Sequence, residues 1–108
     1  MVQVDDKLMT EIVRRIVATA HPQKVILFGS RGRGDARAES DIDLLVVAED
    51  ARPRAQRAAA LYSALSDIII PMDVVVYRPK EIAEWQNVPQ AFVTTALREG
   101  RLLYENHE

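Results

Sequence analysis

Apolar positions recur along this chain in two rhythms, and the switches between them mark out its elements. From residue 8 the interval is four. Leu8, Ile12, Ile16 and Ala20 fall on one side of a helix, Met9, Val13 and Val17 widen the stripe, and Glu11, Arg14 and Arg15 turn to water. Asp5 or Asp6 is placed to cap its start, and His21-Pro22 stops it, because the residue before a proline disfavours helical geometry. His21, alone in a helix-ending turn, reads as solvent-facing and not as a ligand. Lys24 to Phe28, KVILF, is a short strand of β-branched and aromatic residues. Ser40-Asp41 opens a second strand that runs to about Ala48. Its near-continuous apolar run of Ile42, Leu44, Leu45, Val46 and Val47 predicts burial on both faces, hence a central strand.

Pro53 suits the first turn of a helix reaching about Ser66, with Ala55, Ala58, Ala59, Tyr62 and Leu65 as its stripe. Arg52, Arg54 and Arg57 crowd its start and read as a solvated basic face, with an acidic partner as the alternative. Ile68 to Ile70 leads through Pro71 into a third strand, MDVVVY, with Asp73 near its beginning. Pro79 begins a short helix with Ile82 and Trp85. Asn87 and Pro89 begin another, with Val88, Phe92, Ala96 and Leu97 as apolar positions. Gly100 suits a helix C-terminus, and Arg101 to Tyr104 makes a last strand. Trp85, Phe92 and Tyr104 are core or a partner-facing patch.

Strands two and three, joined by a long helix, are expected to be parallel with a right-handed crossover. Asp41, Asp43 and Asp73 then lie near the N-terminal ends of their strands, at one edge. Gly29-Ser30, which ends strand one, reaches that edge only if strand one runs antiparallel to strand two. The expected architecture is therefore α/β (α+β): a mixed sheet with helices packed on it, and not a doubly wound parallel one.

Size and charge narrow the possibilities. With 108 residues the chain is expected to form one domain, 1–108, with a real core. A net charge of -2 gives no global pull on nucleic acid, so direct binding to it is not expected. There is no cysteine, which excludes disulfides and thiolate metal sites. No apolar stretch reaches membrane-spanning length, and MVQVDDKLMT lacks a basic-then-apolar signal pattern. A soluble cytoplasmic protein is expected.

The candidate chemistry sits in LFGSRGRGDARAESDIDLLVV, residues 27 to 47. Alternation puts Asp41 and Asp43 on one face of a strand, their Cα atoms roughly 6–7 Å apart. Two divalent ions about 3.5–4 Å apart fit between such carboxylates, as in two-metal phosphoryl chemistry. Asp-x-Asp at a strand start is by itself often a turn signal. Here it follows Gly29-Ser30 and a run of arginines, with Asp73 as a third carboxylate. Gly29 permits tight geometry, and Ser30 is placed to cap a short helix whose N-terminus would face a phosphate.

Gly29-Ser30, ten residues, Asp41-Ile42-Asp43 and the later Asp73 resemble the nucleotidyltransferase motif of the DNA polymerase β superfamily. The small size and the motif region are similar to its minimal nucleotidyltransferases (MNT proteins). That resemblance implies the palm-type fold and Mg²⁺-dependent nucleotidyl transfer from ATP, with two ions. Asp41 and Asp43 would hold both ions, and Asp73 would join at the ion that activates the attacking hydroxyl, as its base. Gly29, Ser30, Arg31, Arg33 and Ser40 would bind the nucleotide, chiefly its triphosphate tail. It further implies a hetero-oligomeric partner, a HEPN-type toxin, adenylylated on tyrosine by this chain as antitoxin. Transfer to a small molecule, or neutralisation of a partner by binding alone, are the competing readings.

Overall fold

Four strands make one sheet: β1 (Lys24–Phe28), β2 (Ile42–Val47), β3 (Met72–Tyr77) and β4 (Arg101–Glu105). The structure, a computed structural model, describes residues 4–34, 41–85, 88 and 91–106. The strands lie in the order β3-β2-β1-β4; β1 pairs antiparallel with β2 and β4, and β2 pairs parallel with β3. This is the mixed sheet that the motif positions demand. The helices are α1 (Asp6–Ala20), α2 (Gly29–Arg33), α3 (Arg54–Arg57), α4 (Ala59–Ala64), α5 (Pro79–Trp85) and α6 (Phe92–Glu99).

Each face of the sheet takes alternate residues. On one face Val25, Leu27, Ile42, Leu44, Val46, Val74 and Val76 pack against Met9, Ile12 and Ile16 of α1 and Leu61 of α4. Leu44, Ile12 and Ile16 are wholly buried, and truncating such a side chain to alanine costs about 2–5 kcal/mol. On the other face Ile26, Leu45 and Val47 meet Ala96 of α6, with Phe28, Val75 and Tyr77 partly covered. Asp43 and Asp73 share the parity of Leu45 and Val75, so they emerge on this second face. Its cover is thinner: Phe92 and Trp85 remain 42% and 46% exposed.

The first helix starts as expected, Asp5 Oδ1 accepting the Leu8 N–H at 2.9 Å. It ends at an exposed His21 in left-handed geometry (φ 48°), followed by a buried Pro22. Arg15 departs from the expected wet face. Glu11, the Ala64 carbonyl and Asp67 hold it, tying α1 to the end of α4.

The helix expected from Pro53 to Ser66 is two pieces, α3 and α4, separated by a turn at Ala58. The buried stripe is Arg57, Ala58, Leu61 and Leu65, while Ala55, Ala59 and Tyr62 face outward. The basic cluster is therefore a solvated face only in part: Arg52 and Arg54 remain exposed, and Arg57 is turned inward. Arg57 is only 7% exposed; its Nη1 reaches Glu81 Oε1 at 2.5 Å and the Val76 carbonyl at 3.3 Å. Arg54 reaches Glu81 Oε2 at 3.2 Å and lies over the Tyr77 ring, and Arg52 pairs with Asp50. A guanidinium can be buried here because a carboxylate and two carbonyls meet its donors. Burial works to raise the Glu81 pKa, but hydrogen bonds from Arg57, the Arg78 N–H and Arg54 bring it down to about 2. The cluster joins α3 to α5 beyond the C-terminal ends of β2 and β3, away from the opposite edge.

After the residues outside the description, which include Asn87 and Pro89, α6 begins at Phe92. Gly100 ends it in extended geometry (φ -77°), with its N–H on the Ala96 carbonyl. Tyr104 is half-buried against the main core.

Candidate active site

That opposite edge is where β1 ends and where β2 and β3 begin. Register sets Phe28 opposite Asp43, and Asp43 opposite Asp73. With neighbouring strands about 4.8 Å apart, the residues after β1, Asp43 and Asp73 form a row across the sheet. Asp41 stands one residue before β2, beside the Ile42 N–H that bonds the Pro71 carbonyl at 3.0 Å.

Gly29 makes the row possible. Its φ of +68° lies in the left-handed region, and a Cβ there would come within 2.4 Å of Asp43 Oδ2. The backbone thus turns directly over a carboxylate, and a larger residue there would be strained and would push Asp43 aside. Gly32 lets α2 fold back on β1, since a Cβ there would lie 2.3 Å from the Leu27 carbonyl oxygen.

Ser30 is not the cap that the sequence suggests. Gly29 itself opens α2, Phe28 holds the N-cap position without a side-chain bond, and Ser30 falls inside the first turn. With five residues, α2 also has little macrodipole to offer a phosphate. Any anion held here depends on the Ser30 hydroxyl, backbone N–H groups and arginines.

Arg33 lines a groove of about 190 Å³ with Phe28, Gly29, Phe92, Thr95 and Glu99, and lies 3.9 Å from Glu99. Arg31 instead lines a recess with Asp5, Asp6 and Arg101, which none of the three aspartates borders. Ser40 lies outside the described residues.

The aspartates share an electric field. Burial raises the Asp43 pKa first, and the charges of Asp73 and Asp41 raise it further. Among the described residues no three His, Cys, Asp or Glu side chains converge closely enough to hold an ion unaided. The donor set still suits a hard divalent cation: all ligands are carboxylate oxygens, and a cation would relieve the repulsion at Asp43. A cation bound there would need further ligands, of the kind that phosphate oxygens offer.

One residue escaped the sequence reading. Tyr62, expected in the apolar stripe of its helix, is 41% exposed. Its hydroxyl accepts the Val74 N–H at 2.8 Å and lies 3.5 Å from Asp73 Oδ1. Nothing in local periodicity signals a contact made across the edge of the sheet. Phe92 packs edge-on to Phe28 at 5.0 Å and lies 6.1 Å from Tyr77, forming an aromatic shelf beside the same face.

Residues 10–108 match the family model of the polymerase beta nucleotidyltransferase domain. The chain belongs to this nucleotidyltransferase family. It is 36% identical over 101 residues to a bifunctional uridylyltransferase/uridylyl-removing enzyme of Methylococcus capsulatus. That alignment covers 91% of this chain and 11% of the enzyme, so the nucleotidyltransferase domain spans about a tenth of its relative's length. Among solved structures it is similar to a toxin–antitoxin crystallised with AMP-PNP, with TM-score 0.56, 24% identity and 96% of this chain and 76% of that one covered. It is also similar to a variant of the toxin–antitoxin MntA–HpeT, with TM-score 0.55, 25% identity and 97% and 76% covered. The palm-type fold is thereby shown. No helix among the described residues is long and apolar enough to cross a membrane.

Proposed function

We propose that this chain transfers a nucleoside monophosphate from ATP to a hydroxyl of a partner protein, a tyrosine of a HEPN-type toxin, and so acts in the cytoplasm as an antitoxin. The observation that carries this is the row of Gly29, Asp43 and Asp73 across one sheet edge, with Asp41 beside it. Likeness to toxin–antitoxin structures, one of them with AMP-PNP, supports both nucleotide and partner.

In this reading Asp41, Asp43 and Asp73 hold Mg²⁺, which would polarise the phosphate oxygens and offset their charge when bound. Ser30 and Arg33 position the triphosphate tail from the β1 side, and Arg31 contributes at longer range. Asp73, at the outer strand, accepts the proton of the attacking hydroxyl. Positioning and charge neutralisation are most of what phosphoryl transfer requires of a protein.

Incubation with Mg²⁺, α-phosphate-labelled ATP and the product of the adjacent gene tests this. Label on a partner tyrosine is expected. A partner that is neutralised while carrying no label would leave binding alone as the function. Likeness to a uridylyltransferase makes UTP the donor to compare with ATP.

A further inference from the structure

An in-line displacement at phosphorus places the leaving group and the attacking oxygen on opposite sides. If the triphosphate tail lies by Gly29-Ser30, pyrophosphate leaves on the β1 side and the attacking hydroxyl comes from beyond β3. One side-chain hydroxyl of this chain already stands there. α4 carries Tyr62 past the outer edge of β3, and its oxygen lies 3.5 Å from Asp73 Oδ1 and 3.4 Å from the Val74 carbonyl. The row across the edge is thus Gly29-Ser30, Asp43, Asp73, Tyr62.

A plainer role exists. β3 is an outer strand, and a phenol that occupies the Val74 N–H blocks unwanted strand pairing. That role explains the 2.8 Å bond from Val74 but does not require an approach to Asp73. The contact with Asp73 puts the hydroxyl at the limit of hydrogen-bond reach of the candidate base, a separation that apo sites commonly show before they tighten. The Val74 N–H would also stabilise charge on the phenol oxygen as its proton leaves.

The geometry points to Tyr62 as a site of self-nucleotidylation, an inference that rests on the nucleotidyl-transfer reading above. The Tyr62 oxygen attacks the α-phosphorus of ATP, and a phosphodiester bond to the tyrosine forms as the bond between α-phosphorus and bridging oxygen breaks. Pyrophosphate leaves with that electron pair, and the phenolic proton passes to Asp73. No redox partner or further reactant is needed.

The test is incubation of the purified chain alone with Mg²⁺ and α-phosphate-labelled ATP, followed by peptide mass spectrometry. Nucleotidyl mass on the peptide containing Tyr62 is expected, and Tyr62→Phe should lower total label about tenfold or more. Mapping on the wild type does not depend on whether the variant folds. Calorimetry of Mn²⁺ with ATP on the same sample separates the two levels of the account. Aspartate-dependent Mn²⁺–ATP binding with no label, or with label on another residue, overturns the inference and leaves the transfer reading intact. Absence of both binding and label overturns the two together.

Discussion

Gly29 and Asp43 are in contact through an absence: the hydrogen in place of a Cβ leaves the space that Asp43 Oδ2 occupies, 2.4 Å from where that carbon would sit. The relationship joins the turn after β1 to the start of β2, so a side chain at position 29 presses on Asp43.

Gly29→Ala therefore strains the backbone at φ +68° and pushes on a carboxylate at once. A stability loss of about 1–3 kcal/mol is expected from the strain, together with loss of most Mn²⁺–ATP binding as Asp43 is displaced. Urea unfolding and calorimetry on one preparation check this. Unchanged nucleotide binding would show that the contact is only packing.

Ser30→Ala should behave differently. Since Ser30 caps nothing, the variant should lose well under the ~1 kcal/mol of a typical cap. If its hydroxyl holds a phosphate, ATP affinity should fall several-fold. Parallel thermal melts and ATP titrations separate the effects, and a lowered melting temperature with unchanged affinity would refute the phosphate role.

Much of this edge was readable from the sequence. The i, i+2 spacing of Asp41 and Asp43 fixes one face, and the helix between β2 and β3 fixes parallel pairing, which brings Asp73 opposite Asp43. Helix starts were less legible: Ser30 lies within α2 and makes no side-chain cap, because no local pattern fixes where the turn after β1 ends. Arg57 and Tyr62 were misread for a common reason. Their partners, Glu81 and Val74, lie 24 and 12 residues away, and no local period encodes a contact that only the finished sheet creates.

The Arg57–Glu81 pair gives a stability prediction at the far edge. Glu81→Gln leaves a guanidinium that is 7% exposed without its counter-charge. A loss of roughly 2–3 kcal/mol is expected, below the ~3–5 kcal/mol of a fully buried pair because Glu81 keeps some solvent contact. The sign with pH follows from the folded pKa of about 2 against an ordinary 4.5. Glu81 stabilises the fold above pH 4.5, and that contribution is lost as pH falls toward 2. Denaturant midpoints at a series of pH values should fall less steeply in acid for the variant. Parallel curves would contradict the assignment.

Asp73→Asn distinguishes transfer at this edge from binding alone. The change is nearly isosteric and removes one of the charges that raise the Asp43 pKa, so the fold should be as stable or slightly more so. It also removes a candidate ligand and base, so transfer should fall by orders of magnitude, loss of base catalysis alone giving about 10²–10⁴-fold. The measurement is co-expression of the variant with the proposed toxin partner, following growth and the partner's intact mass. The account predicts a folded, partner-bound variant, no nucleotide mass on the partner and loss of lasting protection. Full protection without added mass would contradict it.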